Sequence, residues 1–331
     1  MRAMQRPPLV DRYGRVHRYL RVALTDRCNF RCRYCMPLEG VAWQAKAEIL
    51  TLEELEVLVR LFARLGIDKV RLTGGEPTVR RGYEGLVKAL AAIPEIRTLA
   101  MTTNGWTLAE SAGTLRRHGL SLVNVSMDSL DPERFRAITV RGELDRVLTG
   151  IESALGAGLE VKINCVVMRG VNEDEIIRFV EHFADCDVTV RFIEFMPFEG
   201  NRWDRADIYP YAAMRRDLEA RFRLEPLETD PSAVGKDFRI EGCRCRVGFV
   251  TSMTEHFCDG CDRLRITSDG YLKTCLFGRE EVSLRDLVRS GETAEVLEEA
   301  IRRALERKWK GHPDLATLPQ LPNRSMIQIG G

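Results

Sequence analysis

Apolar and polar positions along the first two hundred residues predict parallel strands that alternate with helices. Short apolar runs, which are typical of buried strands, recur between longer segments that have the apolar spacing of amphipathic helices. The predicted strands lie near residues 20–24, 69–73, 98–102, 122–126, 161–167 and 188–192. The predicted helices lie near residues 51–65, 83–93, 108–117, 144–157 and 173–184. Six repeats of this kind predict a parallel sheet with right-handed crossovers.

Six strands are fewer than the eight of a closed barrel. The pattern therefore predicts an α/β fold with an incomplete, open parallel (β/α)6 barrel over about residues 15–200, although an open doubly wound sheet has the same periodicity. The alternation of predicted strands and helices ends near Phe198. We therefore predict a first domain over residues 1–200 and a C-terminal region over residues 201–331.

The C-terminal region is predicted to contain helices and an antiparallel hairpin. Two strand-like runs meet at Asp269-Gly270, a residue pair that favours a tight hairpin turn. Helices are expected near residues 211–221, 284–289 and 293–308.

Composition and charge narrow the class of protein. The 50 Lys and Arg residues nearly equal the 49 Asp and Glu residues, which argues against bulk electrostatic binding of nucleic acid or an anionic membrane. No apolar stretch approaches the roughly 18 residues that span a bilayer, and the first residues lack the apolar core of a secretory signal. We therefore expect a cytoplasmic protein whose ten cysteines remain thiols for metal binding or catalysis.

The first cysteine trio (Cys28, Cys32 and Cys35) lies in the loop after the first predicted strand. Active sites of parallel α/β folds lie at this carboxyl end of the strands. Three thiolates at this spacing suit an iron–sulfur cluster in which one iron has no protein ligand. Two alternatives are a zinc ion that a residue elsewhere completes and three unrelated buried thiols.

The second cysteine trio (Cys258, Cys261 and Cys275) spans the predicted hairpin, which would bring Cys275 back towards the other two residues. We favour an auxiliary iron–sulfur cluster, again with one open iron. The alternative is a zinc ribbon whose fourth ligand is Cys243 or Cys245, and we expect at most one of these two side chains to point towards it.

Polar residues recur at alternate strand positions, which share one face. The interior of a closed barrel is normally apolar, so a polar lining predicts a cavity for a polar ligand. The residues expected on this inner face are Arg21, Arg71, Thr73, Thr102, Asn104, Asn124, Ser126, Asp128, Lys162, Asn164 and Arg191. Their cations suit a triphosphate. Arg263 and Arg265 share a strand face with Cys261, so both guanidinium groups are expected beside the second cysteine trio.

The segment from Cys28 to Cys35, CNFRCRYC, resembles the CxxxCxΦC signature of radical S-adenosylmethionine enzymes, with Tyr34 at the aromatic position. Gly74-Gly75-Glu76-Pro77 resembles the GGEP segment of the same superfamily. The resemblance implies a first [4Fe–4S] cluster that binds S-adenosylmethionine and splits it reductively to a 5′-deoxyadenosyl radical.

Further segments are similar, in order, to the GTP 3′,8-cyclase family, which are lyases of molybdenum-cofactor (molybdopterin) biosynthesis. These segments are LRVALTDRCNFRCRYCMP, RLTGGEPTVRR, TTNG, VNVSMDS, VKINCVVMRG, RFIEFMP, FCDGCDRLRITSDGYLKTCLF and the terminal GG. The resemblance implies that the radical abstracts the ribose 3′ hydrogen of GTP. The substrate radical then attacks C8 of guanine, giving (8S)-3′,8-cyclo-7,8-dihydroguanosine 5′-triphosphate.

The same resemblance implies the site residues. Two [4Fe–4S] clusters would be held by Cys28, Cys32 and Cys35 and by Cys258, Cys261 and Cys275, with the open iron of the second meeting guanine. S-adenosylmethionine would contact Tyr34, Gly75, Ser126 and Met196. GTP would contact Arg21, Arg71, Thr102, Lys162, Arg263, Leu264 and Arg265, with Leu264 acting through its backbone and Arg191 nearby. Catalytic roles would fall to Gly330 and Gly331, which enter the active site, and to Arg263 and Arg265.

The resemblance also implies partners. These are a cellular electron donor, a downstream cyclic pyranopterin monophosphate synthase that receives the product, and a second copy in a homodimer, but no nucleic acid and no membrane. Two other functions remain open: a radical S-adenosylmethionine enzyme with an auxiliary cluster that modifies a peptide, and, more remotely, a non-enzymatic zinc-binding module.

Overall fold

The computed structural model describes residues 7–37, 40–321 and 323–330 of the 331-residue chain. Its strands are β1 (Tyr19–Ala23), β2 (Lys69–Thr73), β3 (Thr98–Thr103), β4 (Leu122–Ser126), β5 (Glu160–Val167), β6 (Val188–Glu194), β7 (Leu224–Pro226), β8 (Lys236–Ile240), β9 (Arg246–Val250), β10 (Arg263–Ile266), β11 (Tyr271–Lys273) and β12 (Glu281–Ser283). Its α-helices are α1 (Leu52–Arg64), α2 (Tyr83–Ala91), α3 (Leu108–Arg117), α4 (Pro132–Thr139), α5 (Leu144–Gly156), α6 (Ile176–His182), α7 (Tyr211–Glu219), α8 (Leu284–Arg289), α9 (Ala294–Glu306) and α10 (Met326–Ile329).

All strands join one 12-stranded sheet in the order β12-β11-β10-β1-β2-β3-β4-β5-β6-β9-β8-β7. The central run from β10 to β9 is parallel, and an antiparallel pair extends each end. The sheet is open, because its first and last strands do not pair. The prediction of an open parallel barrel with a C-terminal antiparallel hairpin is confirmed. Helix α4 is an element that the apolar pattern did not predict.

The C-terminal residues supply a strand to each edge of the six-stranded core. Strand β10 pairs in parallel with β1, and β9 pairs in parallel with β6. Unpaired edges expose backbone hydrogen-bonding groups, so these additions satisfy the donors and acceptors of β1 and β6. The pairing also brings the second cysteine trio, which flanks β10 and β11, to the same sheet as the first.

The local sequence determines where helix α1 begins. Thr51 is its N-cap: the Thr51 hydroxyl accepts from the backbone N–H of Glu54 at 3.1 Å. The Glu54 carboxylate accepts in return from the Thr51 backbone N–H at 2.7 Å, which completes a capping box. The helix then buries Leu55, Leu58 and Phe62 against the outer face of the sheet. Each fully buried side chain of this size contributes roughly 1.5–3 kcal/mol.

One large apolar core lies between the sheet and its helices, and a smaller one lies among the C-terminal segments. The smaller core contains Phe198, Ile208, Met253, Phe277, Leu318 and Ile329. It holds the C-terminal tail beside the loops that follow the parallel strands. In the part of the chain that the structure describes, no helix is both long enough and apolar enough to cross a bilayer.

Candidate active site

The first cysteine trio lies in the loop that follows β1, and this loop is tightly held. The backbone N–H groups of Cys35 and Met36 both donate to the carbonyl oxygen of Cys32 at 3.0 Å. The backbone N–H groups of Arg31 and Arg33 donate to the carbonyls of Thr139 and Ile138 at 2.9 and 3.1 Å. These bonds fasten the loop to the end of α4, which therefore positions the cysteines.

The surroundings of the first cysteine trio disfavour thiolates while no metal is bound. Burial, with the negative charge of Glu76, raises the pKa of Cys28 to about 12. Burial also raises the pKa of Cys32 and of Cys35, to which Asp128 and the neighbouring cysteines add. Three mutually interacting thiols in such a site fit a cationic iron cluster, because bound metal deprotonates cysteine.

The Gly74-Gly75-Glu76-Pro77 segment packs against the backbone that leads into the first cysteine trio. A Cβ atom on Gly75 would lie 2.3 Å from the carbonyl oxygen of Arg27, so only glycine fits there. The Glu76 carboxylate is buried and accepts from the backbone N–H of Asn104 at 2.7 Å and the hydroxyl of Thr103 at 2.8 Å. Glu76 thus ties this segment to the end of β3, a role that the sequence analysis did not assign.

Two of the residues predicted to contact S-adenosylmethionine are joined by a residue that the prediction missed. The Asn201 amide donates to the carbonyl of Tyr34 at 3.2 Å and to that of Met196 at 2.8 Å. The Tyr34 hydroxyl donates to Asp128, whose pKa burial raises to about 6. Ser126 ends β4, in register with Asn164 of β5. Gly75 follows β2, which lies two strands from β4 in the sheet.

A cavity of about 640 Å³ opens on the inner face of the sheet. Of the residues predicted for the site or the inner face, those that line it are Arg21, Arg71, Asn124, Lys162, Asn164, Arg191, Met196, Cys258, Cys261, Arg263, Arg265 and Cys275. Thr102 stands in the same sheet row as Lys162, two strands away, but it does not line the cavity. The Leu264 side chain is fully buried in the apolar core.

The parallel register sets three arginines side by side. Arg265, Arg21 and Arg71 (the arginine row) pair directly across β10, β1 and β2. Burial, together with the charges of Arg71 and Arg263, lowers the pKa of Arg21 to about 10. Burial, with Arg21 and Arg263, likewise lowers the pKa of Arg265 to about 9. Buried cations that repel one another favour a bound anion, which relieves that repulsion.

Tyr19 lies in the next row, between Arg263 and Lys69. Its hydroxyl oxygen accepts from Arg71 Nε at 2.5 Å and from Arg21 Nη1 at 3.3 Å. Burial alone would raise the pKa of Tyr19, but the positive charges of Arg71, Arg21 and Lys69 lower it to about 7. Tyr19 and Arg21 share a strand face, so the alternation used for Arg21 could have identified Tyr19 as well.

The second cysteine trio borders the same cavity. A short helical turn, Cys258–Gly260, sets the first two cysteines, and the backbone N–H of Cys261 donates to the carbonyl of Cys258 at 3.1 Å. Burial alone would raise the pKa of Cys261, but the charges of Arg263 and Lys308 lower it to about 6. The Lys308 ammonium lies 3.6 Å from the Cys261 sulfur. The sequence analysis did not identify Lys308.

Neither trio is arranged around a single metal ion. Across residues 7–37, 40–321 and 323–330, no three Cys, His, Asp or Glu side chains converge closely enough to hold one ion. A [4Fe–4S] cluster is larger than one ion, so its thiolates stand further apart. The charges of the thiols do interact within each trio.

Cys243 and Cys245 do not lie on opposite faces of a strand. Their thiols contact each other, and Cys186 is nearby, so both point the same way. They lie in the turn before β9, where the backbone N–H of Cys245 donates to the carbonyl of Ala184. The second cysteine trio follows the opposite end of β9, so this pair belongs to a different part of the fold.

The C-terminal tail reaches the arginine row. Arg265 Nη1 donates to the carbonyl oxygen of Gly330 at 2.8 Å. Gly330 has φ +84°, and a Cβ atom there would lie 2.4 Å from the Thr73 hydroxyl oxygen. Glycine is therefore required where the tail enters the inner face. Gly331 lies outside the described residues.

Comparisons with known proteins agree with this geometry. Residues 22–183 match the model of the Radical SAM superfamily, and residues 188–313 match that of Molybdenum Cofactor Synthesis C. A solved structure of SuiB from Streptococcus suis, bound to the precursor peptide SuiA, is 15% identical with a TM-score of 0.64. The matched region covers 96% of this chain and 77% of the SuiB chain, and the two share the same fold. The fold and the first cysteine trio therefore define a radical S-adenosylmethionine enzyme.

Relatives identify the family. The mitochondrial GTP 3′,8-cyclase of Arabidopsis thaliana is 47% identical over 325 residues, which are 98% of this chain and 83% of the relative. The chain thus belongs to the GTP 3′,8-cyclase family. The Molybdenum cofactor biosynthesis protein 1 of Bos taurus is 47% identical over 323 residues, which are 97% of this chain. The chain spans 51% of that longer relative.

Proposed function

We propose that this chain converts GTP to (8S)-3′,8-cyclo-7,8-dihydroguanosine 5′-triphosphate in the first step of molybdenum-cofactor biosynthesis. The observation that carries the proposal is the arginine row, which opens on the same cavity as the second cysteine trio. A triphosphate supplies the anion that these buried cations favour.

In this proposal some residues of the chain bind the triphosphate and others hold the two clusters. The arginine row, with Lys162, Arg191 and Arg263, binds the triphosphate, and Tyr19 orients two of its guanidinium groups. The second cysteine trio holds the auxiliary cluster near guanine. The first cysteine trio holds the other cluster, which together with S-adenosylmethionine supplies a 5′-deoxyadenosyl radical when bound. Gly330 covers the inner face beside Arg265. This part of the tail would exclude water from the ribose.

Several further properties belong to the same proposal. Residues 1–200 act as the S-adenosylmethionine half and residues 201–331 as the auxiliary-cluster half. The chain works in the cytoplasm as a homodimer, accepts electrons from a cellular donor, and hands its product to a cyclic pyranopterin monophosphate synthase. Size-exclusion chromatography with light scattering tests the dimer directly.

The first test is anaerobic reconstitution with iron and sulfide, followed by dithionite and S-adenosylmethionine with or without GTP. Liquid chromatography with mass spectrometry follows 5′-deoxyadenosine and GTP-derived products. We expect GTP to stimulate 5′-deoxyadenosine formation and a cyclised isomer of GTP to appear. If 5′-deoxyadenosine forms while GTP stays intact, the substrate assignment is wrong. If neither forms in a protein that carries zinc, the enzyme assignment fails.

A substitution in the arginine row makes the test specific. Arg71→Met removes a buried cation, and a charge-assisted hydrogen bond contributes about 1.5–3 kcal/mol, so we expect the KM for GTP to rise about 10- to 100-fold. The matched control is Arg64→Met, which removes an exposed arginine from the last turn of α1. Equal KM values for the two variants would argue against triphosphate binding at the arginine row.

A further inference from the structure

Lys308 is a buried lysine that lies beside the second cysteine trio. Lys308 follows α9 and is 1% exposed. Its ammonium donates to the carbonyl of Arg263 at 2.8 Å and lies 3.6 Å from the sulfur of Cys261. Within the described ranges no carboxylate lies at ion-pair distance from it. A buried charge without a partner is costly, so this ammonium needs an anion.

Lys273 shows what an ordinary buried lysine requires. It is also 1% exposed, but its ammonium forms an ion pair with Glu281 at 3.0 Å and donates to the carbonyl of Gly278 at 2.7 Å. Lys308 has the sulfur of Cys261 as its neighbour, where Lys273 has the carboxylate of Glu281. The other charges near Lys308 include those of Arg15 and Arg263, which repel it, while those of Cys261 and Cys275 attract it. The anion for Lys308 is thus the second cysteine trio itself.

The position of Lys308 is fixed by a second set of contacts. Arg15 Nη1 donates to the carbonyls of Cys258 and Lys310 at 2.7 and 2.8 Å, and Arg15 Nη2 donates to that of Trp309 at 2.7 Å. An ion pair with Asp11 at 2.7 Å orients Arg15. One arginine therefore clamps a ligand residue of the second cysteine trio to the segment that follows Lys308.

We propose that Lys308 is a positioning residue that raises the reduction potential of the cluster held by the second cysteine trio, an inference that rests on the proposed function. Reduction adds one negative charge to a cluster, and a fixed cation stabilises the reduced form. A hydrogen bond to a ligand sulfur acts in the same direction. The potential of the first cluster is not affected, because Lys308 contacts neither its ligands nor their loop.

The test is a potentiometric titration of the full chain with both clusters loaded, monitored by electron paramagnetic resonance. Signals are assigned with the full chain in which Cys28, Cys32 and Cys35 are alanine. We expect Lys308→Met to lower the reduced-to-oxidised ratio of the second cluster at least tenfold at a fixed potential. For one electron this is about 59 mV. Lys308→Arg keeps the charge and should restore most of the shift.

Lys310→Met is the matched control, because Lys310 is exposed and contributes only its backbone carbonyl to the Arg15 clamp. A fully loaded Lys308→Met protein whose second cluster keeps its potential would overturn the proposal. If that variant does not retain its iron, Lys308→Gln, which keeps an N–H donor without charge, replaces it, and an unchanged potential there is equally decisive.

The outcome is separable from the proposed function. A native protein that holds both clusters but does not cyclise GTP contradicts the function, while the titration still tests Lys308. If the chain with three alanines assembles no cluster, the assignment of the second cysteine trio and the role of Lys308 are both wrong.

Discussion

The two cysteine trios have the same residue type but surroundings of opposite charge. Around the first trio, Glu76 and Asp128 add negative charge to buried thiols and raise their pKa values. Around the second trio, Arg263 and Lys308 add positive charge, and the pKa of Cys261 falls to about 6 despite its burial. At neutral pH the metal-free first trio therefore consists of thiols, whereas the second contains a thiolate.

This difference separates two tasks that one kind of cluster can perform. Negative surroundings make a cluster harder to reduce and hence a stronger reductant, which suits the reductive cleavage of a sulfonium. Positive surroundings suit the second cluster, because that cluster would bind its own ligand next to the anionic triphosphate. In the proposed function, residues that are not cluster ligands thus give the two trios different roles.

The largest effect should come from removing one ligand from each trio. Cys32→Ala should lose roughly half of the iron and all measurable 5′-deoxyadenosine, because the first cluster is absent. Cys261→Ala should also lose roughly half of the iron, but it should still form 5′-deoxyadenosine while making no cyclised GTP. Iron assay and chromatography of both products measure this. If Cys32→Ala retained 5′-deoxyadenosine formation, the roles of the trios would have to be exchanged.

A second prediction concerns the pH dependence of thiol reactivity in the metal-free chain. The thiolate is the reactive form, so a cysteine reacts fully above its pKa and loses reactivity as pH falls through it. Alkylation of Cys261 should lose half its rate near pH 6, whereas alkylation of Cys28 should still be rising above pH 9. Peptide mass spectrometry after brief iodoacetamide pulses gives both profiles. Coincident profiles would contradict the electrostatic contrast, and Lys308→Met should shift only the Cys261 profile, towards higher pH.

The smallest effects should come from a pair of glycines, one beside each trio. In Gly75→Ala the new Cβ would lie 2.3 Å from the carbonyl of Arg27, so the loop into the first trio must move. We expect this variant to lose several-fold in first-cluster occupancy and to melt at a lower temperature. In Gly311→Ala the Cβ would lie 3.4 Å from Cys258 Cβ, an ordinary contact. Its iron content should stay within about a fifth of the native value, and comparable losses in both variants would refute the steric argument.

Much of the fold follows from periodicity in the sequence, and its failures have a physical cause. The six core strands and all of their helices except α4 are predicted, because short apolar runs alternate with segments that have helical apolar spacing. The pairings of β9 with β6 and of β10 with β1 are not, because each joins strands that are distant in the sequence. The position of Cys243 and Cys245 is likewise not predictable, because it depends on where β9 joins the sheet.

In the candidate site, too, contacts between segments distant in the sequence could not be predicted. Arg21, Arg71 and Lys162 are predictable, since alternation within a strand puts them on one face and their chemistry is distinctive. Lys308 and Arg15 are not, because each meets the second trio only through folding of remote segments: Arg15 and Cys258 are 243 residues apart in sequence. Their sequence context is that of ordinary solvent-exposed basic residues.

The position of β1 in the sheet has a consequence for how the chain is made. Its first neighbour, β2, follows within fifty residues, but its other neighbour, β10, begins only at Arg263. At about 5–20 residues per second, a ribosome needs on the order of ten seconds or more to reach that strand. Throughout this time the emerging protein carries a bare strand edge, the feature on which foreign chains pair. The free edge of β1 therefore needs protection until β10 has been synthesised and has paired with it.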